Sequence, residues 1–208
     1  MKKFIVLAVL FLLPITVYLF FASGVNNFAK LPVLTQGVAE LPPAHNVQFK
    51  NKISVLCFFG TDVENKKANL FNLAHKIYKK NYQFNDFQFV VLVTPGQEET
   101  IEQLKRKLSE IEDPGNYKFI SISKNETRAI FSSLQTGAAL DDELATDTVF
   151  IIDKEQNLRG RNDDGAGTRY GYNAADYAEV NNDMSDDIKV ILAEYRLALK
   201  KYRANRDI

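Results

Sequence analysis

Residues 53–60, ISVLCFFG, run without a break into residues 61–80, TDVENKKANLFNLAHKIYKK. The first stretch is apolar on both alternating faces, the composition of a strand buried in the middle of a parallel sheet. The second puts Leu70, Phe71, Leu73, Ala74, Ile77 and Tyr78 at helical spacing and predicts a helix over about 63–81. Cys57, the only cysteine of the chain, lies inside the strand, ahead of the join.

The pattern repeats downstream. FQFVVLV (87–93) reads as a second buried strand, closed by Thr94, Pro95 and Gly96. Residues 97–111 form an amphipathic helix marked by Ile101, Leu104, Leu108 and Ile111, stopped at Asp113, Pro114 and Gly115. YKFISI (117–122) is a third strand, 126–134 a short helix, and DTVFII (147–152) a fourth strand. The polar turn KEQN then leads into LRGR (158–161), the partner strand of a hairpin. Residues 163–182 are polar and contain glycine and three tyrosines. The last helix has Ser185 as its expected N-cap, Asp186 and Asp187 in its first turn, and an apolar stripe of Ile188, Ile191, Leu192, Tyr195 and Leu199. This alternation predicts a three-layer α/β domain around a mostly parallel sheet, closed by an antiparallel hairpin and a helix. That is a thioredoxin-like arrangement.

Ahead of the domain, Lys2 and Lys3 precede nineteen uncharged residues, FIVLAVLFLLPITVYLFFA (4–22). At 1.5 Å per residue this nearly spans a hydrocarbon core of roughly 30 Å. A cleavable signal has a shorter apolar region, so an uncleaved anchor (1–23) is expected, although Ala22, Ser23 and Gly24 resemble a cleavage site. The lysines keep the N-terminus cytoplasmic, which places the rest of a single-pass chain outside the cytoplasmic membrane, in the periplasm of a Gram-negative bacterium. Residues 24–46 hold three of the six prolines and keep neither a strand nor a helix period. They are expected to be an extended tether, with a short pairing segment at 31–34, before a domain over 47–208.

Lysine plus arginine and aspartate plus glutamate balance at 26 each, and no basic run with interleaved aromatics occurs. This argues against nucleic-acid binding. A lone cysteine cannot close an internal disulfide.

With these elements in place the chain resembles the SCO/SenC family, membrane-anchored thioredoxin-fold proteins linked to copper delivery and cytochrome c oxidase assembly. The resemblance covers roughly residues 30–200. It rests on the single anchor, the strand ending in Phe58, Phe59 and Gly60, the hairpin IIDKEQNLRG (151–160) and the closing helix DDIKVILAEYRLALKK (186–201). It implies a copper site made of two cysteines three residues apart after that strand and a histidine before the later strand. Here those stretches read Thr61, Asp62, Val63, Glu64, Asn65, Lys66, and Glu143, Leu144, Ala145, Thr146, Asp147. A Cu(I) site needs soft thiolates, and dithiol exchange needs an attacking and a resolving thiol. The resemblance therefore implies a degenerate member: no catalysis, no metal, no cofactor, and work through contacts with respiratory oxidase subunits or copper chaperones.

Other residues have bland readings that compete with functional ones. Cys57 is in phase with Ile53, Val55 and Phe59 and is expected to pack in the core; a reactive thiol in a one-cysteine, peroxiredoxin-like enzyme is the alternative. His45 and His75, about thirty residues apart, lack ligand spacing. Asp62 and Glu64 read as helix-start acids. Asp141, Asp142 and Glu143, and likewise Asp163, Asp164 and Gly165, read as solvated loops without the alternation of a calcium site. Tyr170, Tyr172 and Tyr177 are read either as a partner-contact surface or as residues folded back on the sheet. A small-ligand site at the join end of the sheet is a further alternative.

Overall fold

The structure, a computed structural model, describes residues 2–22, 30–163 and 167–204. Helix α1 (Lys2–Ala22) is followed by strand β1 (Val33–Thr35), the quoted strand β2 (Ile53–Gly60) and helix α2 (Val63–Leu73). The latter continues through a π-turn at Ala74–Tyr78 into α3 (Lys79–Asn81), so helical structure covers 63–81. Strand β3 (Phe87–Val93), helix α4 (Glu98–Ser109), strand β4 (Tyr117–Ser121) and helix α5 (Lys124–Ser133) come next. Strands β5 (Thr148–Ile152) and β6 (Leu158–Arg159) form the hairpin. A ribbon of β7 (Arg161–Asp163) and β8 (Gly167–Arg169), the short β9 (Tyr172–Asn173), α6 (Tyr177–Glu179), a π-turn at Val180–Met184 and α7 (Ser185–Ala204) complete the chain.

The main sheet has the order β1-β6-β5-β2-β3-β4, with β9 also paired to β5. Strands β2, β3 and β4 are parallel; the hairpin, β1 and β9 join antiparallel, so the short additions make the sheet mixed. A parallel β-α-β-α-β run followed by an antiparallel hairpin and a covering helix is a thioredoxin-like fold.

The period of 2 in β2 splits the core between two faces. Ile53, Val55, Cys57 and Phe59 pack with residues of α2, α4 and α7, among them Leu70, Leu104, Ile188 and Ile191. Leu56 and Phe58 pack on the other side with Ile130 and Leu134 of the α5 region and with Val38, Leu41 and Phe49. The Phe58 ring meets Phe131 edge-on at 5.1 Å and Phe150 at 6.1 Å. Helix α5 starts on a capping box: the Ser123 hydroxyl accepts from the Glu126 amide, and the Glu126 carboxylate accepts from the Ser123 amide.

Two expectations change. The segment expected as a tether is packed on the domain from residue 30 onward. Leu31, Thr35, Val38 and Leu41 are buried, β1 pairs with β6, and the Val38 amide donates to the Gln156 carbonyl at 2.8 Å. Its apolar residues follow an irregular path across the sheet edge, so they show no period. Residues 24–29 lie outside the described residues. The closing helix, in turn, does not begin at Ser185. Helical structure starts at Tyr177, where Asp176 is the cap and accepts from the Ala178 and Glu179 amides. Asp187 is buried and receives the Arg161 guanidinium and the Tyr172 hydroxyl, so more than the helix dipole acts on it. The Leu199 side chain lies outside the described residues.

Residues Lys2–Phe20 form a helix long and apolar enough to cross a membrane, a property that signal sequences share.

Candidate functional site

The join between β2 and α2 meets the stretch before β5, and backbone hydrogen bonds stitch them together. The Thr61 amide donates to the Glu143 carbonyl at 3.0 Å, and the Thr146 amide donates to the Phe58 carbonyl at 3.0 Å. Gly60 makes this approach feasible. Its φ is +49°, and a Cβ there would lie 1.8 Å from the Glu143 carbonyl oxygen. The register between β2 and β3 also slips here, with Phe58 opposite Leu92 but Gly60 opposite Val93. The two stretches that the SCO/SenC resemblance singles out are thus neighbours in space.

What they bring together is polar and thiol-free. The Thr61 hydroxyl donates to the Glu143 carboxylate. Asp141 shapes the loop by accepting from the amides of Glu143 and Ala145 at 3.0 and 2.8 Å. Asp62, expected to act only on the helix dipole, accepts from the Asn65 side chain at 2.6 Å; Glu64 pairs with Lys67 on the surface. One layer further in, the Asp147 carboxylate accepts from Lys66 Nζ at 2.8 Å and from the buried Asn69 at 2.6 Å. The contacts read as a clasp that closes the join.

The Lys66 hydrogen bond holds the Asp147 carboxyl below its ordinary range, with Asn69 adding to this and burial opposing it. A depressed folded-state pKa adds stability above the unfolded-state value, and this stability is lost as pH falls through the folded-state value. Asp147→Asn is therefore expected to be less stable than the wild type at neutral pH. The gap should narrow as pH falls below the ordinary aspartate range and through the lower folded-state value, where the wild-type carboxyl at last protonates. Urea midpoints at neutral and acid pH check this; a gap that stays constant would show that the clasp does not depend on charge.

Cys57 is completely buried, and burial pushes its thiol far above the ordinary range. It faces the α2–α7 side with Val55 and Phe59, so the thiol is core material in this fold. His45 belongs to the segment crossing one face of the sheet, whereas His75 is exposed on the helix covering the other. Among the described residues no three His, Cys, Asp or Glu side chains gather as a metal site. Asp164 and Gly165 lie outside the described residues, as does the Asp163 side chain.

The three tyrosines separate rather than forming one surface. Tyr172 is fully buried; its hydroxyl donates to Asp187 at 2.5 Å, and it belongs to no contact surface. Tyr170 is half-buried and lines a cavity of about 340 Å³ with Thr136, Thr148, Phe150 and Thr168. Only Tyr177 is exposed, with Lys76 Nζ 4.4 Å from its ring centre.

No family model matches the chain, and no curated protein matches it in sequence. Three similar solved structures illustrate what it is like. A protein disulfide isomerase candidate from Bacteroides thetaiotaomicron is 14% identical, with 79% of this chain and 95% of that one covered at a TM-score of 0.48. The soluble domain of Sco1 from Bacillus subtilis is 13% identical, with 76% and 92% covered at 0.42. A thioredoxin-family thiol:disulfide interchange protein from Chlorobium tepidum is 14% identical, with 81% and 99% covered at 0.39. The assignment of a thioredoxin-like fold rests on the strand order and helix placement described above.

Proposed function

We propose that this chain is a membrane-anchored, non-catalytic thioredoxin-like protein that works through protein contacts. The SCO/SenC resemblance gives the setting: a degenerate relative, facing the periplasm, that acts beside the copper chaperones in assembly of a terminal oxidase or stays bound to that complex. The observation that carries this reading is the clasped join. The two stretches where that family's copper ligands would lie do meet, and they meet as Thr61, Glu143, Lys66 and Asp147. The one thiol is buried in the core. Helix α1 supports the anchor through its length and composition.

Two measurements on the full chain in detergent test the non-catalytic half. N-ethylmaleimide is expected to spare Cys57 in the native state and to label it fully once the protein is denatured. Titration with Cu(I) is expected to show no stoichiometric binding in competition with a chelator. Native labelling or tight Cu(I) uptake would overturn this half and favour a one-cysteine redox or copper role. Affinity purification from solubilised membranes tests the partner half: oxidase subunits are expected to co-purify, and recovery of the chain alone would count against it.

A further inference from the structure

A groove lies at the end of the sheet opposite the join, where β2 and β3 begin and β5 ends. Helix α7 forms one wall, and the turn between α3 and β3 forms the other. One part is a cavity of about 290 Å³ lined by Asn81, Phe84, Lys189, Leu192, Arg196 and Leu197. A second part, about 140 Å³, shares Phe84, Leu192 and Arg196 and extends to Ile53 and Tyr195. The shared residues make them one trough, with an apolar floor and cations on its rim.

The rim is not neutral. Lys154 is paired with Asp86, and Lys189 with Asp186. Arg196 lies over the Phe84 ring, 5.1 Å from its centre, and has no carboxylate partner among the described residues. An apolar trough with an uncompensated guanidinium at its mouth complements a ligand with a hydrocarbon chain and an anionic head.

The covalent structure limits where such a ligand comes from. Because the chain is packed on the domain from Leu31, only residues 23–30 separate helix α1 from the domain. Fully extended, that connection reaches under about 30 Å. A domain of this size is itself roughly 40 Å across. If α1 is in a bilayer, the domain must therefore stay at its surface.

We propose that the groove takes an acyl chain of an acidic phospholipid from that membrane, with the lipid phosphate on Arg196. This rests on the anchor reading above, and the test separates the two. The full chain is reconstituted in vesicles of equal phosphatidylglycerol and phosphatidylcholine. It carries a photo-crosslinker either in the groove (Leu197→p-benzoylphenylalanine) or in the apolar helix (Val9→p-benzoylphenylalanine), and adducts are identified by mass. The groove probe is expected to capture phosphatidylglycerol over phosphatidylcholine by about fivefold, the bias that one interfacial cation confers. Arg196→Glu should abolish that preference, while the Val9 probe labels both lipids. Lipid adducts at Val9 but none at Leu197 would overturn the groove inference and leave the anchor standing. Adducts to protein at Leu197 would mean that a partner chain occupies the trough, and equal capture of both lipids would remove the role of Arg196. Labelling at neither position would remove the anchor and the groove inference with it.

Discussion

Gly60→Ala is expected to destabilise the domain by roughly 3–5 kcal/mol, at the upper end for a single substitution. Two costs combine. An alanine at φ +49° carries the left-handed penalty of about 1 kcal/mol. Its Cβ would also lie 1.8 Å from the Glu143 carbonyl oxygen and 2.8 Å from the Leu144 carbonyl carbon and oxygen. These atoms are backbone, so no rotamer relieves the clash, and the loop 143–146 must leave the join. Its departure breaks the Thr61–Glu143 and Thr146–Phe58 bonds and uncovers Leu144 and Ala145, both buried. Gly96→Ala is the control, because Gly96 also has a positive φ, +95°, but a Cβ there would meet nothing within 4 Å. Urea unfolding of both variants, followed by circular dichroism, compares them. If Gly60→Ala cost no more than Gly96→Ala, the loop would have to be free to move, and the clasp at the join would not exist in solution.

Arg159→Met should cost about 3–5 kcal/mol, because it breaks a buried ion pair by removing one partner only. Arg159 is 4% exposed. It donates to Asp153 at 3.0 Å, to Glu194 of α7 at 2.6 Å and to the Leu31 carbonyl at 2.7 Å. It therefore ties the hairpin, the closing helix and the segment leading from α1 to one another. Methionine fills similar space but leaves Asp153, 1% exposed, with a charge that only the turn amides and Asn157 then satisfy. Adding Asp153→Asn to Arg159→Met should recover part of the loss, because the fully buried charge is then removed, while Glu194, 23% exposed, keeps its charge but reaches water. Denaturant midpoints measure the loss. Amide exchange at Gly160, which donates to the Pro32 carbonyl, reports whether the leading segment comes loose. A loss under about 1 kcal/mol, without faster exchange there, would mean that the network behaves like a surface pair.

Much of this fold is legible in the sequence because long buried strands and amphipathic helices repeat their side-chain environment at fixed intervals. FQFVVLV can be read as a strand, and Ile101, Leu104 and Leu108 as one helix face, without knowing any neighbour. Even the face on which Cys57 lies follows from its phase with Val55 and Phe59. Features that depend on partners distant in sequence leave no such trace. Leu31, Val38 and Leu41 are buried by an irregular chain that bends over the sheet edge, so no period announces them. Tyr172 resembles its neighbours Tyr170 and Tyr177 in sequence, and only the position of Asp187 decides that it goes inside. Ser185 looks like a cap until Asp176, nine residues earlier, takes that part.

The sequence alone determined the alternation of elements, the apolar N-terminal helix and the lack of a second thiol, because each is a property of local composition. The tertiary structure decided what the join is. In the sequence, Thr61 and Glu143 are two unrelated polar residues in loops 82 positions apart. Folding brings their backbones into hydrogen-bonding contact at a glycine without room for a Cβ, and two separate loops become one clasp. Such a contact is set by where two strands end in the sheet, and no local pattern encodes that position.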